Sequence, residues 1–219
     1  MGIFDTLREV LGVRAETDAA RNADPDDLFG MTTAYVTMEA DLGYAPASDA
    51  ALCFSGVDSS QFADAVREIE SILEAGEEET GTEFEVRGDS KGYEWVVLHD
   101  DDFEDLVTSV HFAADTLVEH GFGSRLLAAL FAFRNDPESG GSRAGGGGAA
   151  GRNDATAYWI YSFRRGAFYP FVPEDGRGRE RDSGREFKLQ AVLDGELEVE
   201  GDESYWYPLW PEGSGHPWG

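Results

Sequence analysis

The chain has 219 residues, of which 44 are Asp or Glu and 17 are Lys or Arg, giving a formal net charge of −27. That balance excludes a nucleic-acid binder held by phosphate contacts and disfavours anionic lipid surfaces, because both would be repelled. With 41% hydrophobic and 12% aromatic residues the chain is not disordered throughout, and it is long enough to bury a core as one domain or a domain with appendages.

Taken in chain order, Ile3, Phe4, Leu7, Val10 and Leu11 recur at helical spacing, so residues 1–13 read as an amphipathic N-terminal helix. Its stripe can pack on the body, meet a partner helix or touch a membrane. Asp5, Arg8 and Glu9 are not the basic collar of a membrane-surface helix, which favours protein. Residues 14–24 form a polar linker, and a single body spans residues 25–211, followed by a tail at 212–219. Within the body, Asp26–Phe29 suggests a helical turn, and Met31–Leu42 is ambiguous between strand and helix. Ala50–Val57 reads as a buried strand containing Cys53, whose solitude excludes an intramolecular disulfide.

Asp58 and Gln61 have capping-box spacing ahead of a helix lined by Phe62, Val66, Ile69 and Leu73, predicted to end near Ala75. Glu77–Glu79 then reads as an exposed loop. Phe84–Arg87 and Tyr93–His99 form a strand pair. Asp101 and Glu104 repeat the capping spacing before an amphipathic helix through Phe103, Leu106, Val107, Val110, Ala114, Leu117 and Val118, stopped at Gly121 after His120. Leu126–Phe133 is an apolar segment of undecided type, too short to span a bilayer.

Pro137–Gly151 is a low-complexity, Gly-rich insertion without the Lys-Ser/Thr of a phosphate loop. Tyr158–Pro173 holds nine aromatic or branched aliphatic residues on either side of a turn at Arg165-Gly166, the pattern of an antiparallel hairpin. Gly176–Gly184 is a second loop, carrying most of an arginine cluster at 177, 179, 181 and 185. Glu186–Leu193 is helix or strand, and an aromatic segment follows at Tyr205–Pro211. The element order implies an α+β fold with a largely antiparallel sheet, amphipathic helices on one face and an aromatic hairpin in the C-terminal part.

Residues that carry chemistry are sparse. His99, His111, His120 and His216 have no metal-ligand spacing, neither HExxH nor CxxC occurs, and Gly-x-Ser-x-Gly is missing. His111 and Asp115 stand four apart on one predicted helix, where a polar contact beside the core explains them as well as chemistry does. No catalytic, cofactor or metal residues are assigned. Arg164 and Arg165 are open to two readings, an ion pair at the hairpin turn or recognition of an acidic patch on a partner with Phe168 and Tyr169 supplying area. Trp206 and Trp210 can likewise seal the core or anchor a partner, and Ile3, Phe4 and Leu7 complete the candidate binding residues.

Six segments resemble the PspA-associated protein B family of archaea and actinobacteria: MGIFDTLREVLG, Asp27-Leu28-Phe29, Gly92-Tyr93-Glu94-Trp95, Gly121–Leu127, Tyr161–Pro173 and Trp206–Trp210. The acidic balance, with Lys91 and Lys188 the only lysines, resembles that of proteins from salt-accumulating archaea, so a haloarchaeal-type member is implied. The resemblance implies a cytoplasmic accessory protein of the phage-shock, or envelope-stress, system, linked to the coiled-coil, membrane-protecting PspA. It transfers no catalytic residues. The reading is a non-enzymatic adaptor, with no nucleic acid, no transmembrane segment, and membrane contact only through the N-terminal helix. A chaperone-like client-binding domain is the alternative, and a metal-dependent enzyme or regulator the more distant one.

Overall fold

A computed structural model of the chain describes residues 22–88, 92–135, 156–174, 179–210 and 217–218. The expected N-terminal helix with Ile3, Phe4 and Leu7, the Gly-rich insertion and most of the 212–219 tail lie outside these residues. Six strands form one antiparallel sheet: β1 (Tyr44–Ser55), β2 (Glu83–Gly88), β3 (Tyr93–His99), β4 (Leu126–Asn135), β5 (Thr156–Ser162) and β6 (Ala167–Phe171). The spatial order is β2-β3-β1-β4-β5-β6, so the first strand made lies inside the sheet and pairs with both β3 and β4. Among the described residues four α-helices accompany it: α1 (Met31–Thr37), α2 (Ser60–Thr80), α3 (Phe103–Glu119) and α4 (Ser183–Leu193). This is the α+β arrangement expected.

The ambiguous Met31–Leu42 stretch is helical. A 3-10 turn at Pro25–Gly30, started by Pro25 and capped by the Asp24 carboxylate on the Asp26 N–H, runs into α1 and then into a π turn at Met38–Leu42. Leu28, Met31, Ala34 and Met38 fall on its buried side at helical spacing. Gly43 ends the run at φ 68°, a conformation that favours glycine.

Two caps sit one residue beyond their expected positions. Ser59, not Asp58, accepts the Phe62 N–H at 3.1 Å to open α2, and Asp102, not Asp101, accepts the Glu104 N–H at 2.9 Å to open α3. Helix α2 also continues through Glu77–Glu79 to Thr80, because glutamate is a good helix former and Gly76 faces open space. The last residues of the expected loop at Gly176–Gly184 belong to α4, whose first turn is capped by Asp182 on the Arg185 N–H.

The sheet is covered on both faces. Ala50, Leu52 and Phe54 of β1, Ala129, Phe131 and Phe133 of β4, and Trp159 and Tyr161 of β5 meet the helices. The alternate residues Ala51, Cys53, Ala128, Leu130, Ala132, Tyr158 and Ile160 pack instead with Trp206, Tyr207 and Leu209 of the C-terminal segment. Strand β4 is therefore buried from Leu126 to Phe133 on both sides, which explains its unbroken apolar run.

Candidate functional site

The β5–β6 hairpin turns through Phe163–Gly166, with the Ser162 carbonyl accepting the Arg165 and Gly166 N–H groups at 3.0 and 2.8 Å and Gly166 at φ 62°. This geometry sends Arg165 inward. Its Nε donates to Glu200 Oε2 at 2.6 Å, and its guanidinium lies 3.9 Å from the centre of the Tyr205 ring. Glu200 is tied further: Oε1 accepts the Asp202 N–H, its carbonyl accepts the Trp206 indole N–H at 2.8 Å, and its own N–H donates to the Phe168 carbonyl at 2.8 Å. The arginine of the turn thus fastens the C-terminal segment to the hairpin.

A second arginine fastens the same segment. Arg181 Nε donates to both carboxylate oxygens of Glu186 at 3.0 and 2.8 Å, while its Nη1 donates to the Trp206 carbonyl at 3.0 Å. Glu186 also accepts the Val172 N–H at 2.9 Å. Burial pushes its carboxyl above the ordinary glutamate value, against the opposing pull of Arg181.

Of the hairpin's two readings, internal ion pair or docking face, this packing realises the internal one for Arg165, Phe168 and Tyr169. Phe168 and Tyr169 are core residues on opposite faces of the sheet, and Arg165 is buried against Glu200. Tyr169 donates its hydroxyl to the Tyr207 carbonyl at 3.2 Å, and complete burial drives its phenol well above the usual range. Trp206 is buried, and half-buried Trp210 meets Phe171 edge-on with centroids 5.1 Å apart, so the two tryptophans close the sheet's second face. Half-buried Arg164 donates Nη2 to the Ser124 carbonyl at 2.8 Å.

The described histidines do not converge. His99 Nδ1 meets Asp49 at 2.9 Å at one sheet end, His120 Nε2 meets Glu68 at 2.8 Å between α3 and α2, and His111 Nε2 meets Asp26 at 2.9 Å. His111 therefore pairs with the 3-10 turn rather than with Asp115 on its own helix. No group of three metal-capable side chains occurs among the described residues.

What sequence reasoning missed is the surface around that His111–Asp26 contact. The Tyr161 hydroxyl donates to Asp27 at 2.6 Å and contacts the Asp24 backbone, fixing the 3-10 turn over the sheet. The turn then presents Phe29, 39% exposed, with its ring 4.5 Å from His111, beside Phe112 of α3, 49% exposed. Beside the turn opens a cleft of about 560 Å³, lined by Asp26, Asp27, Asp194, Glu196 and Glu198 with Gly30 and Leu197 among the rest. None of its lining residues is basic. The acidic residues of this region were visible in sequence, but their partners lie 85 and 134 residues away along the chain.

The fold defines an α+β protein with a sheet sealed on both faces and an amphipathic patch on its helical side. The chain belongs to the family described as PspA associated protein B, whose family model matches residues 1–218. No curated protein and no solved structure matches it. Among the described residues no helix is long and apolar enough to cross a membrane.

Proposed function

We propose that this chain is a non-enzymatic accessory protein that works by protein–protein binding in the envelope-stress system served by PspA. The observation that carries the reading is the family match over residues 1–218. The architecture supports it: the second sheet face is occupied by the chain's own Trp206–Leu209 segment, and exposed large apolar residues such as Phe29, Val36 and Phe112 stand on the helical layer. In this reading residues 25–211 act as one cytoplasmic unit, and the segment at 1–13 is a separate contact element. The net charge of −27 suits a haloarchaeal-type cytosol, where carboxylates hold water in concentrated salt.

The test is direct binding of the full chain to a purified PspA-type coiled coil, measured by sedimentation in molar potassium chloride. A stoichiometric complex is the expected result. Absence of any complex across salt conditions would reduce the link to co-occurrence of the two proteins.

A further inference from the structure

We propose that the Phe29–Phe112 patch and the adjoining acidic cleft form a docking site for an amphipathic helix that carries an arginine or lysine beside its apolar row. The inference deepens the binding reading above by naming the surface and the chemistry of its partner.

Three observations converge. Phe29 and Phe112 come from different elements and flank the same His111 ring, at 4.5 and 5.8 Å between centroids, so they form one apolar step rather than scattered exposures. Val36 is 53% exposed and follows Phe29 by seven positions, two helical turns along the same run. The step then abuts the cleft through Asp26, which bonds His111 and also lines the cavity.

Charge decides the occupant. Five acidic residues line the cleft from two segments: Asp26 and Asp27 on the 3-10 turn, whose carboxylates already meet His111 and Tyr161, and Asp194, Glu196 and Glu198 after α4. A partner that buried an acidic or purely apolar edge there would strip water from the exposed Asp194 and Glu198 without compensation. A cationic side chain satisfies them while its neighbours cover the two rings. Glu196 is already oriented by the Thr37 hydroxyl at 2.9 Å, which holds the far wall of the cleft against α1. The recognition mode is a helix in a groove, with aromatic anchors setting affinity and the cleft setting sign.

The experiment titrates the full chain with a dye-labelled helical peptide of about 18 residues, bearing a leucine row flanked by lysines, and with its twin carrying glutamates instead. Anisotropy is expected to show the lysine peptide binding about tenfold or more tighter than the twin. Phe29→Ser with Phe112→Ser should abolish that binding, while Ile72→Ser, an exposed apolar position on α2, should leave it unchanged. Asp194→Asn with Glu198→Gln should narrow the difference between the peptides. Equal binding of both peptides, or binding indifferent to the phenylalanine pair, overturns the site. A dimer of this chain that dissociates on Phe112→Ser, with no peptide bound, would assign the face to a second copy and also overturns it. A PspA-type coiled coil bound equally by wild type and the phenylalanine variants would sink this surface and leave the functional reading intact. The reverse pattern, peptide bound but coiled coil refused, would keep the surface and remove the reading.

Discussion

Arg165 and Glu200 form an ion pair with Nε 2.6 Å from Oε2, each side chain only 8% exposed, across the hairpin and the C-terminal segment. A pair so shielded is screened little by salt, so it persists where exposed ion pairs fade. Removing one partner strands the other charge. Arg165→Ala should destabilise the fold by about 3–5 kcal/mol, whereas Arg165→Met combined with Glu200→Met should recover much of the loss. Denaturant melts of the three proteins check this; a double variant no better than the single would mean that packing against Tyr205 dominates.

The C-terminal segment gives a spectroscopic handle. Burial pushes the Tyr207 phenol up to about 12. Trp206→Ala removes an anchor of the segment and should cost about 3–5 kcal/mol. It should also bring Tyr207 down toward an ordinary tyrosine. Alkaline titration of tyrosinate absorbance, with Tyr207→Phe as the reference, tells whether the segment loosens or stays in place.

Helix α2 tests the cap. Ser59→Ala should cost about 1 kcal/mol, while Asp58→Ala should fall within about 0.5 kcal/mol of wild type. The opposite ranking from thermal melts would move the helix start back to Asp58.

At the sheet end, the hydrogen bond that His99 donates to Asp49 holds it above the ordinary histidine value, aided by the charges of Asp49, Glu83 and Asp101. Because the folded value is raised, the stabilisation is complete below about pH 6.5 and is lost as pH rises through the folded value. Proton NMR should find His99 titrating above that reference, and Asp49→Asn should bring it down. An unchanged midpoint in Asp49→Asn would reject the pairing as the cause.

Much of the scaffold was legible because its local signals agree. The β2–β3 hairpin alternates, the β5–β6 hairpin is dense in aromatic and branched residues on either side of Arg165-Gly166, and α3 shows a continuous apolar stripe ended by Gly121 at φ 80°. Strand β4 was illegible because both its faces are buried, so no alternation survives to separate strand from helix. The threonines and Val36 of α1 blurred its helical pattern, since β-branched residues serve strands equally well. The partner of Arg165 was beyond reach for a different reason. Glu200 lies 35 positions away among 44 acidic residues, and only the fold selects it. The same holds for His111, whose helical neighbour Asp115 was the nearer choice and Asp26 the actual one.

The Trp206–Leu209 segment that covers the second sheet face has a temporal meaning. All six strands are complete once Phe171 has been synthesised, yet Trp206, Tyr207 and Leu209 arrive only later. At about 5–20 residues per second, Ala51, Leu130, Ile160 and Phe171 face the nascent-chain environment for some seconds without their cover. A chain interrupted in that interval displays a bare aromatic sheet, a ready substrate for chaperones and proteases.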